Sequence, residues 1–128
     1  MEADTGTLVE ESVQAMEQAY APYSSFRVGA AVLGASGKVY SGCNVENVSY
    51  GLSVCAERVA IFKAVSEGEK QIEAIAIANS SGKPAFPCGA CRQVMAEFAP
   101  DDMEIYLVSD EGVEKHTLAE LLPHAFKP

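Results

Sequence analysis

Three cysteines, at two places in the chain, have the types and spacing of a metal site. One is Cys55 in "CAER"; the others are Cys88 and Cys91 in "PCGACRQ". Sulfur binds metal as thiolate, and a helix N-terminus favours that form through its free amides and partial positive charge. Three thiolates around a tetrahedral zinc leave the fourth position to water, which is the catalytic pattern, whereas a fourth protein ligand would make the site structural. Glu57, two residues after Cys55, falls near that fourth position. There its carboxylate can take a proton from water and return it to a leaving group; its plainer role would be to complement the helix dipole. A site with three thiolates is electron-rich, so positive charge is expected beside it, and Arg58 can supply it, unless it is merely a surface helix residue. Cys43 in "GCNVEN" reads as a small buried apolar residue at a strand end. Alternation there puts Asn44 and Glu46 on one face, with Cys43 and Val45 on the other. His116 and His124, the two imidazoles, lie in a weakly patterned C-terminal stretch and read as non-ligands.

The elements that must hold these side chains follow from periodicity. The stretch 7–23 predicts a helix, with Thr7 and Glu10 at capping-box spacing and Pro22 as its stop. Two strands joined at Ser36-Gly37 span 26–47, an antiparallel hairpin. A second helix covers 53–68, with Ser53 as N-cap and Gly68 as its end. The apolar run 72–80 is a buried central strand. A third helix starts at Cys88 and stops at Pro100. Residues 103–117 give strand, Asp-Glu-Gly turn and strand, and Thr117 with Glu120 caps a short last helix. The order α-β-β-α-β-α-β-β-α favours a layered α/β domain with a mixed sheet. A right-handed crossover brings the second and third helices side by side. Cys55, Cys88 and Cys91, each expected in a first helical turn, then converge on one point.

The chain has 128 residues, the length of one domain, taken as 1–128. A domain of this size has enough core to fold without a metal. Its net charge is -9 and its basic residues are scattered, so it carries no cationic stripe for a nucleic-acid backbone. A small substrate with little negative charge is expected. The acidic N-terminus has no signal-like region, and the apolar run "VGAAVLGA" is too short to span a membrane. The expected location is the cytoplasm, where four cysteines are metal ligands or free thiols rather than disulfides.

With those residues in place, the chain resembles the short, zinc-dependent, homotetrameric cytidine deaminases. The resemblance rests on "YSSFRVGAAV", "GCNVENVSYG", "CAER", "PCGACRQV" and "ELLPHAF", and covers nearly the whole length. It implies a three-layer α/β/α fold with a five-stranded mixed sheet. It implies one zinc per subunit on Cys55, Cys88 and Cys91, and hydrolytic deamination of cytidine and deoxycytidine at C4, with Glu57 shuttling protons. Phe26 would pack on the base, Asn44 and Glu46 would bind the sugar hydroxyls, and Ala56 would belong to the substrate site. Tyr50 and Phe126 would reach a neighbouring subunit's site in the tetramer. The reaction would serve pyrimidine salvage.

Two rival readings stand beside this one. A related small deaminase could act on a nucleoside-like antibiotic such as blasticidin S, although "NVEN" is not expected there. A structural module with four cysteines would instead recruit Cys43 as a ligand. An editing deaminase on RNA or DNA is disfavoured by the acidic charge.

Overall fold

The structure, a computed structural model, describes residues 4–126. Helix α1 (Thr5–Met16) is capped by Asp4, whose carboxylate accepts the Thr7 N–H at 2.8 Å. The cap therefore lies three residues ahead of the expected Thr7, whose amide serves as a donor. The helix also ends well before Pro22. Beyond it, the Tyr20 N–H donates to the Asn44 carbonyl (3.0 Å) and the Glu46 N–H to the Tyr20 carbonyl (2.9 Å). Pairing with the chain after the hairpin overrides the helical pattern of residues 17–20.

Strands β1 (Val28–Gly34) and β2 (Val39–Cys43) form the expected antiparallel hairpin. Its turn needs Gly37, which has φ 92°. The Glu69 carboxylate is buried under this turn and accepts from the Ser36 N–H, the Ser36 hydroxyl and the Tyr40 hydroxyl. Helix α2 (Ala56–Ser66) follows a short 3-10 turn at Tyr50–Leu52. Its N-cap is Cys55, not Ser53. Ser53 closes the 3-10 turn, and its hydroxyl accepts the Asn47 N–H at 3.1 Å. Gly68 ends the helix as expected, with φ 107°.

Strand β3 (Ile72–Asn79) is buried except at Glu73. It runs antiparallel to β1 and parallel to β4 (Glu104–Ser109). Helix α3 (Gly89–Phe98) makes the crossover between β3 and β4. Strand β5 (Gly112–Thr117) returns antiparallel to β4 and leads into α4 (Leu118–Leu121), with the Thr117–Glu120 capping box in place. The sheet order is β2-β1-β3-β4-β5, a mixed five-stranded sheet.

Strand alternation sorts the core into two layers. Ala31, Leu33, Ala74 and Ala76 pack with Leu8 of α1 on one face. Ala30, Val32, Ile75 and Ile77 pack with Ala60 and Ile61 of α2 and Met95 of α3 on the other. The expected three-layer α/β/α architecture is present. Two glycines let the helices lie close. A Cβ at Gly29 would stand 2.0 Å from the Ser12 carbonyl oxygen of α1, and one at Gly42 would stand 2.7 Å from the Ala60 nitrogen of α2.

Candidate active site

The N-termini of α2 and α3 meet on the same sheet face, and the cysteines sit at their caps. Cys55 is the N-cap of α2 and Cys88 the N-cap of α3, both with extended backbone. Each lies one position before the first turn expected for it. The Cys88 sulfur does what a capping oxygen does: it accepts the Cys91 N–H at 3.5 Å. Cys91, in the first turn of α3, is fully buried.

Cys55 Sγ lies 3.7 Å from Cys88 Sγ, and Cys88 Sγ lies 3.4 Å from Cys91 Sγ. All three ligand atoms lie within 4.8 Å of one another. Zinc–sulfur bonds of about 2.3 Å in a tetrahedron require sulfurs about 3.8 Å apart, so the donor set fits zinc with little movement. Cys43 stands outside this group; it is half-buried rather than buried. His116 is held by Glu114 and Glu120, and neither His116 nor His124 belongs to the three-residue group. Among the described residues no fourth side chain joins the three sulfurs in such a group.

The charge around the sulfurs is uneven. In the metal-free chain a hydrogen bond from Cys91, helped by Arg58 and Cys88, lowers the Cys55 thiol to about 5. The same hydrogen bond and burial push Cys91 upward. Arg58 Nη2 lies 3.5 Å from Cys55 Sγ. The Arg58 Nε is buried with no hydrogen-bond partner among the described residues.

Glu57 occupies the first turn of α2 and is only 5% exposed. Burial pushes its carboxyl up to about 7, with the Cys55 charge adding to the rise and its own backbone amide and Arg58 opposing it. A carboxyl near neutrality can both accept and donate a proton.

Glu57 opens into a cavity of about 270 Å³, together with Cys55, Cys88 and Ala56. Phe26, Asn44 and Glu46 line the same cavity. The Asn44 amide accepts the Val28 N–H and donates to the Phe26 carbonyl, both at 2.8 Å. It fixes the backbone at Phe26 and still keeps one N–H and one lone pair. The Glu46 carboxylate accepts from the Tyr23 N–H (3.0 Å), the Ser24 N–H (3.1 Å) and the Ser24 hydroxyl. These bonds, the hydroxyl foremost, hold its pKa below the usual range.

Tyr50 and Phe126 are not brought to this cavity by the chain itself. Tyr50 is 73% exposed on the 3-10 turn, edge-on to Tyr23 at 6.0 Å. Phe126 is 82% exposed and is tied down through its carbonyl, which accepts from Gln93 Nε2 at 3.0 Å. Phe86, by contrast, lines the cavity and has no place in the expectations above. The available signal was an aromatic residue in the "AFP" that runs directly into the "CGAC" pair.

This geometry agrees with the relatives of the chain. The family model described as "Cytidine and deoxycytidylate deaminase zinc-binding region" matches residues 3–107. The cytidine deaminase of Halalkalibacterium halodurans is 52% identical over 124 residues, covering 96% of this chain and 94% of its own. That of Sporosarcina psychrophila is 51% identical, covering 96% and 91%. The crystal structure of cytidine deaminase from Burkholderia pseudomallei superposes with a TM-score of 0.91 at 45% identity, covering 97% of this chain and all of that one. The match over most of the chain and the relatives at about half identity show that the chain belongs to the cytidine and deoxycytidylate deaminase family.

Proposed function

We propose that this single domain, 1–128, hydrolyses cytidine and deoxycytidine to uridine and deoxyuridine with release of ammonia, using one zinc ion held by Cys55, Cys88 and Cys91. One observation carries the reading: the buried Glu57 carboxyl, with its pKa raised to about 7, shares a cavity with Cys55 and Cys88 of the three-thiol group. Zinc, when bound, supplies the Lewis acidity that makes water a nucleophile at neutral pH. Glu57 accepts a proton from the attacking water and passes it to the pyrimidine, and a proton then leaves with the 4-amino group as ammonia. Water adds across the C4–N3 double bond, its remaining hydroxyl proton passes by way of Glu57 to the 4-amino group, the exocyclic C4–N bond breaks, and the ring keeps the oxygen as a carbonyl. Arg58 and the two helix N-termini offset the thiolate charge. Phe26 packs against the base, and Ala56 belongs to the substrate site. Asn44 and Glu46, with hydrogen-bonding capacity left over, take the sugar hydroxyls. The scattered basic residues favour a nucleoside over a 5′-phosphate.

The chain works as a homotetramer in the cytoplasm, in pyrimidine salvage. What supports the assembly is the exposure of Tyr50 and Phe126, which suits aromatic side chains that complete a neighbour's site. Among the described residues no helix is long and apolar enough to cross a membrane.

The test is the ultraviolet change on loss of the 4-amino group from cytidine and deoxycytidine, cross-checked by ammonia release. Turnover is expected with both substrates. In Glu57→Gln it is expected to fall by at least about 10²–10⁴, the usual contribution of a positioned acid–base group, with zinc retained. A folded, zinc-loaded protein that leaves both nucleosides unchanged would refute the assignment.

A further inference from the structure

We propose that Phe86 is a specificity-determining residue, a second aromatic wall of the substrate cavity that is held in place by His116. The inference rests on the function proposed above and adds a substrate contact to it. Phe86 lines the same cavity as Phe26 and Glu57. It is 48% exposed in the chain and Phe26 is 39% exposed, so two phenylalanines border the cavity with apolar faces uncovered. Water is a poor partner for such faces, whereas a flat heterocycle covers them at a gain.

The two rings come from different parts of the fold. Phe26 precedes β1, which lies next to the β2 edge; Phe86 contacts His116 on β5, the other edge; Ile77 of the central β3 lines the cavity between them. A base entering between them meets one aromatic side chain from each half of the fold.

Phe86 is also anchored in a way that a loop residue without a role would not need. Its ring stands edge-on to the His116 ring, with centroids 5.2 Å apart. His116 is itself fixed from both sides, by Glu114 at 3.1 Å and Glu120 at 3.5 Å. The next residue, Pro87, is buried, and its carbonyl accepts from Arg92 Nε at 2.7 Å. Arg92 also donates to the Leu121 carbonyl at 2.8 Å. Strand β5 and helix α4 thus brace the segment that runs from Phe86 into Cys88. Phe86 touches the base; His116 is a positioning residue that acts through Phe86.

The experiment measures KM and kcat for cytidine, zinc content and thermal melting in Phe86→Ala, Phe86→Leu, Phe86→Tyr, His116→Ala and the double variant Phe86→Ala/His116→Ala. Loss of one base–aromatic contact raises KM by about tenfold, and kcat and zinc content change little. Phe86→Leu, which keeps apolar bulk without an aromatic face and guards against a fold that fails in Phe86→Ala, shows a smaller rise in KM. Phe86→Tyr restores KM to within about twofold. His116→Ala raises KM by less than Phe86→Ala, and the double variant matches Phe86→Ala, because in this proposal His116 reaches the base only through Phe86. An unchanged KM in Phe86→Ala, or a Phe86→Leu protein that behaves as the parent, overturns the proposal. Loss of zinc with KM unchanged also overturns it, since Phe86 would then only support Cys88. If the parent protein does not turn over cytidine at all, it is the proposed reaction that fails. The wall is then judged by calorimetric binding of cytidine to the parent and to Phe86→Ala, where equal affinities overturn it.

Discussion

Replacing Glu57 by glutamine in the metal-free chain changes how stability depends on pH, and the size of the change follows from burial. In the folded chain the Glu57 carboxyl titrates near 7, against an ordinary 4.5. Below pH 4.5 it is protonated in both folded and unfolded states and contributes nothing. Between 4.5 and 7 the unfolded chain has released the proton while the folded chain still holds it, so stability falls as pH rises. Above 7 the loss is complete. At about 1.4 kcal/mol per pH unit the full penalty is about 3 kcal/mol. Glutamine is nearly isosteric and does not titrate, so the variant escapes this loss.

The assay is urea unfolding of chelator-treated, reduced protein, followed by circular dichroism because the chain has no tryptophan. Parent and variant are compared from pH 4 to 8. The Cys55 charge is part of what raises Glu57, so the difference between the two proteins includes that coupling, whereas any fixed cost of burying the amide is constant with pH. Glu57→Gln is expected to gain about 3 kcal/mol on the parent across the range, most of it between pH 5 and 7. Stability curves that stay parallel would refute the claim that Glu57 is poised by burial, and with it the reason for giving Glu57 the proton transfers.

Three further outcomes test other parts of the structure. Gly29→Ala places a Cβ 2.0 Å from the Ser12 carbonyl oxygen and 2.4 Å from the Met16 nitrogen. Backbone cannot yield as a side chain can, so α1 must shift from β1, with an expected loss of about 3 kcal/mol or more in urea unfolding. Cys43→Ala should keep zinc and activity, whereas Cys91→Ala should lose stoichiometric zinc by metal analysis; zinc loss in Cys43→Ala would revive the four-cysteine module. Phe126→Ala should raise KM with subunit melting unchanged if the proposed tetramer shares its sites, and unchanged kinetics would count against that sharing.

What could be read from the sequence depended on whether the determining contacts were local. The hairpin turned where Gly37 supplies a positive φ, and α4 began where Thr117 and Glu120 satisfy each other's backbone donors. Both are settled within four residues. The end of α1 was not, because the bonds that draw Tyr20 away come from Asn44 and Glu46, and no periodicity in residues 7–23 encodes them. Phe86 was missed for the same reason: its significance lies in a cavity shared with Phe26 and Glu57 and in a contact with His116, thirty residues away and across two strands.

The one-residue offset at the cysteines has more consequence than its size suggests. A residue inside a first helical turn has its backbone amide pointing along the axis and its side chain swept back over that turn. An N-cap residue is extended, and its side chain stands in front of the free amides. Placing Cys55 and Cys88 at the caps puts both sulfurs at the positive ends of two helix dipoles, and it leaves the first turn of each helix free for another group. In α2 that group is Glu57, close enough to Cys55 for the sulfur's charge to reinforce the effect of burial. In α3 it is Cys91, whose amide bonds the Cys88 sulfur. Cap thiols and first-turn acid–base and thiol groups are therefore complementary parts of one arrangement. Moving either cysteine one residue into its helix would displace a sulfur from the 3.4–3.7 Å spacing.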